Sequence, residues 1–411
     1  MEQSNRNSHA EQTWGKRALA YAVEITEKFF GRGSATPIEI RTAEFIRSRL
    51  LEAGITDVEM QPFEGARSIW LFFAFAFGIA LSGHLAFWVF RVPFGSALAG
   101  VIALPFFLLS AWLLYQKFTF RTTFADKLLP RGSSRNVIAR IAPVQAAKKR
   151  VVLVGHMDTH RVVWWFSGDF LLKIYALVSP LAVYGVFFSP VFYLYSALSG
   201  ISVFAWLGLG AAVFHLLAWF SGLLADMSIY SPGANDNASA VGTLLAAGER
   251  LSKDPLATTE VWLAFTGCEE TGCDGMRRLL DEYGTDLRDA FFLDFELVGI
   301  GGQLRYLRRE GVIRRNRIDA DVEAIVRKAG ASFGVSAVGS AGMGAFTEMG
   351  VVWERGLKGV CMVTLRDGSP IPPEWHRISD VPARLEAGAF QRVHAFTWAL
   401  LQTLDGKPNG E

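Results

Sequence analysis

Four apolar stretches constrain this chain more than any other feature. Residues 70–90, 98–115, 175–195 and 201–224 are rich in Leu, Phe, Ala, Val and Trp, and almost free of charge. Each has about the length that crosses a hydrocarbon layer as a helix. They fall into two pairs joined by the short links 91–95 and 196–200, which reads as two helical hairpins. Pro105, Pro180 and Pro190 do not oppose this, because helices in apolar surroundings tolerate proline. The alternative is a set of core helices in a large soluble body, and it asks one core to absorb all four segments. A hairpin returns the chain to the side it left. Residues 1–67, 118–170 and 226–411 are therefore expected in one compartment, as a single domain interrupted by hairpins at 68–117 and 171–225.

Composition agrees with this division. Hydrophobic residues make up 51% of the chain, yet 41 Lys and Arg nearly balance 39 Asp and Glu, so the apolar excess is concentrated rather than spread. Lys117, Arg121, Lys127 and Arg131 follow the first pair, while the two links hold only Arg91. The bias of cationic residues toward the cytoplasm then predicts a multi-pass integral membrane protein with four spans, a lipid bilayer as partner, and its polar parts on the cytoplasmic face. The three cysteines, Cys268, Cys273 and Cys361, have no disulfide-framework spacing. His84 and His215 lie inside apolar stretches, where packing or an interhelical hydrogen bond is expected. No basic run exceeds residues 148–150, so no nucleic-acid partner is expected; the oligomeric state is left open.

Outside the hairpins, helical and strand-like patterns alternate. Strand runs at 136–142, 150–155, 261–266, 291–298 and 360–365 are interleaved with helical periodicity at 238–251, 275–282, 316–329 and 383–404. Amphipathic helices at 13–30 and 39–53 precede them, and residues 1–12 read as loose. The pattern predicts a three-layer α/β domain with a mostly parallel mixed central sheet.

The chemistry-bearing residues gather at strand ends. In VVLVGHMDTH (151–160), a buried-type strand stops on His156 and Asp158, two apart and on one side. Downstream come Asp236 between two asparagines, Glu269 beside Glu270, Asp294 two before Glu296, and His376 with Asp380. Imidazoles and carboxylates are the ligands of hydrolytic two-zinc sites, where a further carboxylate stays off the metal as general base.

In this order the motifs resemble the co-catalytic zinc aminopeptidases, the family of the secreted bacterial leucyl aminopeptidases, with glutamate carboxypeptidase and the glutaminyl cyclases as relatives. The resemblance rests on His156-Met157-Asp158, Gly233-Ala234-Asn235-Asp236-Asn237, Glu269-Glu270, Glu296 three before Gly299, and His376. It implies two zinc ions per chain, one held by His156 and Glu296, the other by Glu270 and His376, with Asp236 bridging. It further implies that Asp158 fixes the tautomer of His156, and that Glu269 takes a proton from a metal-bridging water. Asn237 and Asp380 would support the ligands; a loop-forming role for Asn237 and a helix cap for Asp380 are the plainer readings. Aspartate is commoner in the family where Glu296 stands, and Asp294, on the same side of the strand, is the rival ligand. The implied activity, joined to the apolar hairpins, is a membrane-anchored zinc aminopeptidase that removes the N-terminal residues of short peptides or acts on amino-acid amides. A carboxypeptidase, a dipeptidase, another amidohydrolase and a non-catalytic peptide-binding protein are the alternatives. Cys268 beside Glu269 reads as a small buried residue rather than a nucleophile. Residues 339–348 and 367–375 are the candidate pocket walls, on loop position.

Overall fold

The strand 151–154 is a continuous Val/Leu run, the pattern of a strand covered on both faces, and Val151, Val152, Leu153 and Val154 are all buried. The computed structural model describes residues 2–340 and 346–406, with side chains from Thr13 onward. The chain forms two compact units: Met1–Arg67, Arg131–His160 and Tyr230–Glu411 make the first, Ser68–Pro130 and Arg161–Ile229 the second.

The strands of the first unit are, in chain order, β1 (Val58–Ala66), β2 (Arg131–Ile141), β3 (Lys149–His156), β4 (Thr259–Thr266), β5 (Phe291–Glu296), β6 (Gln303–Leu307), β7 (Arg309–Glu310), β8 (Asn316–Arg317), β9 (Ser336–Val338) and β10 (Lys358–Leu365). β7 and β8 pair as a separate ribbon, and the other eight form one sheet in the order β1-β2-β4-β3-β5-β10-β6-β9. The pairs β3–β4, β3–β5, β5–β10 and β6–β9 are parallel; β1–β2, β2–β4 and β6–β10 are antiparallel. Val151 and Leu153 face a core shared with Ala18 and Ile25 of helix Glu2–Lys28, Leu244 of helix Ser239–Lys253 and Phe396 of helix Ala387–Leu404. Helices Asp274–Tyr283 and Glu348–Glu354 pack as a further pair, the latter against β5 and β10. The result is the three-layer α/β domain with a mostly parallel mixed sheet. One close approach within it demands glycine: a Cβ on Gly242 would stand 2.3 Å from the carbonyl oxygen of Ala18.

β3, β4, β5 and β10 run the same way, so their carboxyl ends share one edge of the sheet. There His156 stands in register with Thr266, and the β4 turn that follows holds Glu269 and Glu270. In a sheet of this kind the carboxyl edge is where ligands bind. The opening segment departs from expectation: the first helix begins at Glu2 rather than after residue 12.

The second unit is helical, and it corrects the expected count of four spans. Among the described residues three helices are long and apolar enough to cross a membrane: Ile69–Lys117, Asp169–Ser199 and Ser202–Asp226. The first two apolar stretches both fall in Ile69–Lys117, which leaves helical geometry at Gly95 (φ 77, ψ 166) and folds back on itself there, so that Ser110 Oγ donates to the Ala76 carbonyl at 2.8 Å. The other link does end a helix, with Gly200 as a left-handed cap at φ 74. His84 and His215 make the interhelical bonds expected of them. His215 Nε2 lies 3.1 Å from the Ala182 carbonyl and so carries its proton there. His215 Nδ1 then accepts from His84 Nε2 at 2.9 Å, and His84 Nδ1 accepts from the Tyr193 hydroxyl at 2.6 Å.

Candidate metal centre

Each site residue leaves the scaffold at a place where the backbone turns sharply. His156 closes β3, and its Nδ1 lies 3.1 Å from the carbonyl oxygen of Asp158, which puts the proton on Nδ1 and leaves the Nε2 lone pair free to bind. The Asp158 carboxylate stands 3.4 Å from the same Nδ1 and mainly organises its neighbours. It accepts from Ser34 Oγ at 2.6 Å and from the backbone N–H groups of Glu269 and Glu270, each at 3.1 Å. The turn after β4 needs a left-handed residue at Cys268 (φ 55), and it aims both glutamates at the sheet edge.

Around His156 Nε2 stand Glu296 Oε2 at 3.3 Å, Asp236 Oδ1 at 3.5 Å and Glu269 Oε2 at 3.8 Å. Around His376 Nε2 stand Glu270 Oε2 at 3.3 Å and Asp236 Oδ2 at 3.5 Å. Asp236 therefore offers one carboxylate oxygen to each imidazole. These separations are longer than hydrogen bonds, but two donors about 2.0–2.1 Å from one tetrahedral ion stand about 3.3–3.4 Å from each other. The donor set fits two metal ions for a second reason. Asp236 Oδ2, Glu270 Oε1 and Glu296 Oε1 are buried without a hydrogen-bond partner among the described residues, and such atoms are costly unless a cation meets them.

Without metal the carboxylates crowd one another. Burial pushes Glu269 and Glu270 well above the usual carboxylate range, and repulsion among the clustered acids adds to it. Burial alone would lower His156, yet Glu296, Asp158 and Asp236 hold it well above its ordinary value, so a metal ion binding at Nε2 displaces a proton. Burial brings His376 down to about 4, the neutral form a metal ligand requires.

The supporting residues are placed as follows. Asn237 Nδ2 donates to Glu296 Oε2 at 3.2 Å and to the Phe295 carbonyl at 2.8 Å. The Asp380 carboxylate accepts from the N–H groups of Asn235 at 2.7 Å and Asp236 at 3.0 Å, so it binds the Asp236 loop rather than capping its own helix. Asp294 is buried on β5, and burial, with Glu296 adding, raises it to about 8. It belongs to neither ligand group; Glu296 does. Cys268 is buried, and burial pushes its thiol well up, away from nucleophile chemistry. Of the candidate pocket walls, residues 341–345 lie outside the described residues.

Sequence reasoning missed two residues here. His160 groups with Glu270 and His376, and its ring stacks on His376 with centroids 3.6 Å apart. Its spacing of four from His156, inside the same HMDTH run, was the available signal. Arg32, fully buried, reaches backbone carbonyls on both sides of the site; no motif marks it.

Residues 220–401 match the peptidase family M28. No curated protein matches. Among solved structures, a glutaminyl cyclase from Bacteroides thetaiotaomicron bound to N-acetylhistamine is similar at 14% identity and a TM-score of 0.55, covering 94% of this chain and 97% of that one. A Zn-dependent exopeptidase from Parabacteroides distasonis is similar at 12% identity and a TM-score of 0.55, covering 96% and 98%. A zinc aminopeptidase from Bacillus subtilis gives 12% identity and a TM-score of 0.55, covering 95% and 94%. Identities this low establish a common fold.

These findings also correct the expected localisation. The four-span integral membrane protein with its polar parts on the cytoplasmic face is not upheld: among the described residues three helices meet the length and hydropathy of a span, not four. The structures that resemble the chain over nearly its whole length are crystal structures of exopeptidases and glutaminyl cyclases. The chain has the fold of the co-catalytic zinc exopeptidases, and its two ligand groups, His156/Asp236/Glu296 and His160/Glu270/His376, together with the family match, support zinc-dependent metallo-exopeptidase activity.

Proposed function

We propose that the chain is an aminopeptidase that removes the amino-terminal residue of short peptides and amino-acid amides, with Glu269 as general base. The observation that carries this is the shared position of Asp236, one oxygen toward His156 and Glu296 and the other toward His376 and Glu270, with Glu269 beside the pair. His156 and Glu296 would hold one zinc ion, Glu270 and His376 the other, and Asp236 both. Bound there, the zinc ions supply a Lewis acid for the scissile carbonyl and make water more acidic.

The protein's own groups do the rest. Asp158 fixes the backbone of the two-glutamate turn and orients His156. Asn237 holds the Glu296 carboxylate, and Asp380 holds the loop that presents Asp236. Glu269 takes the proton of the attacking water as its oxygen bonds to the carbonyl carbon, and returns it to the departing amine nitrogen as the C–N bond breaks. The raised proton affinity of Glu269 suits this exchange. Residues 1–67, 131–160 and 230–411 act, in this reading, as one peptidase body interrupted at 68–130 and 161–229.

The test is a substrate panel run on zinc-loaded protein: an aminoacyl amide, a short peptide with a free amino terminus, its N-blocked counterpart, a C-blocked counterpart, and a peptide with amino-terminal glutamine. Hydrolysis should require the free amino terminus and tolerate the blocked carboxyl. Cleavage of the N-blocked peptide from its carboxyl end would replace the reading with a carboxypeptidase. Ring closure of the glutaminyl peptide with no hydrolysis elsewhere would replace it with a cyclase.

A further inference from the structure

Arg32 lies at the turn after helix Glu2–Lys28, fully buried, and takes no part in the chemistry above. Its Nε donates to the Met157 carbonyl at 2.8 Å, within the His156–Asp158 motif. Its Nη1 donates to the Pro232 carbonyl at 3.0 Å and its Nη2 to the Gly233 carbonyl at 2.7 Å, at the start of the loop that carries Asp236. The backbone closes the same seam: Thr159 N–H donates to the Arg32 carbonyl at 3.1 Å, and Ser231 N–H to the His160 carbonyl at 2.8 Å. The packing has no slack, since a Cβ on Gly233 would stand 2.2 Å from Thr159 Cγ2 and 2.7 Å from Arg32 Nη2.

The position matters because of the chain's course. His156 and Asp236 must both face one ion, yet between residues 160 and 230 the chain leaves the first unit altogether. No short covalent loop holds the two ligands in register. A planar guanidinium with donors in a fixed fork can do so. It also places a permanent positive charge near Asp158, Asp236 and Asp380, a cluster that otherwise repels itself when no metal is bound.

We propose that Arg32 is a positioning residue for the metal centre: its guanidinium ties the His156–Asp158 motif to the Asp236 loop and so sets the affinity for both ions. This rests on the two-metal reading of the site. The test measures zinc stoichiometry and affinity, by competition with a chromophoric chelator, on wild-type protein, R32K and R32M, with circular dichroism to show that each is folded. Lysine keeps the charge and loses the fork, so R32K should bind zinc about 10-fold more weakly; R32M loses both and should fall about 100-fold, the range seen when groups that support metal ligands are removed. Should R32M not fold, R32Q, which keeps a donor for the Gly233 carbonyl, takes its place in the comparison. Folded variants with a lowered unfolding midpoint but wild-type zinc affinity would overturn the inference and leave the two-metal site standing. Wild-type protein that takes up fewer than two ions would remove the two-metal reading, and the role of Arg32 with it.

Discussion

Asp158→Asn is the substitution whose cost can be worked out most directly from the structure. The carboxylate accepts three hydrogen bonds: Ser34 Oγ and the Glu270 N–H at Oδ2, and the Glu269 N–H at Oδ1. An amide of the same shape retains one acceptor oxygen. If its nitrogen takes the Oδ2 place, the Ser34 hydroxyl can rotate to accept, but the Glu270 N–H cannot. If the nitrogen takes the Oδ1 place, the Glu269 N–H loses its acceptor. Either way one peptide N–H at a buried site is left unpaired, which costs about 1–3 kcal/mol. Loss of the charge adjacent to His156 and loosening of the two-glutamate turn should also weaken zinc binding, by about 10–100-fold. The assay is urea unfolding of metal-free wild-type and D158N protein, followed by zinc titration of both. An asparagine variant with wild-type stability would refute the claim that this carboxylate holds the turn. Wild-type zinc affinity would refute its role behind His156.

Three further outcomes are expected. Glu269→Gln should lower turnover by at least about 100-fold while both zinc ions remain; loss of metal by elemental analysis would show that the two glutamates have the opposite roles. Glu270→Gln should instead leave one ion tightly bound, read by metal content after dialysis, because it removes a donor facing His376 only. Gly242→Ala should destabilise the first unit by about 1–3 kcal/mol in chemical unfolding, since the added methyl group meets the Ala18 carbonyl at 2.3 Å and the helices must part.

The candidate donors, His160 apart, stood out in the sequence because each motif is local, and the resemblance to the zinc aminopeptidases supplied their roles. A strand end spaced by two, a Gly-Ala-Asn-Asp-Asn loop and a pair of glutamates after an apolar strand carry their geometry in a few residues, and backbone periodicity decides which side they face. The alternation of Val-rich runs with amphipathic helices likewise announced the three-layer domain. The choice between Asp294 and Glu296 was not legible. Both face one side of β5, and the register with parallel β3, which sets Asp294 opposite Val154, decides that Glu296 is the one within 3.3 Å of His156 Nε2.

The span count failed for a related reason. Hydropathy locates apolar residues but not the ends of helices: Ile69–Lys117 runs through 49 residues with its one break at Gly95, where it folds back and brings Ser110 Oγ to the Ala76 carbonyl at 2.8 Å. His160 and Arg32 show the same limit inside the site. A histidine stacked on a ligand and an arginine bonded to carbonyls from distant segments work through contacts that sequence spacing does not encode. The sequence by itself determined most of the side chains that could bind metal, His160 excepted, and the strands that would carry them. The tertiary structure decided which atoms meet, because distances of 3.3–3.5 Å between residues far apart in the chain are set by strand register and by the buried groups that hold the connecting loops.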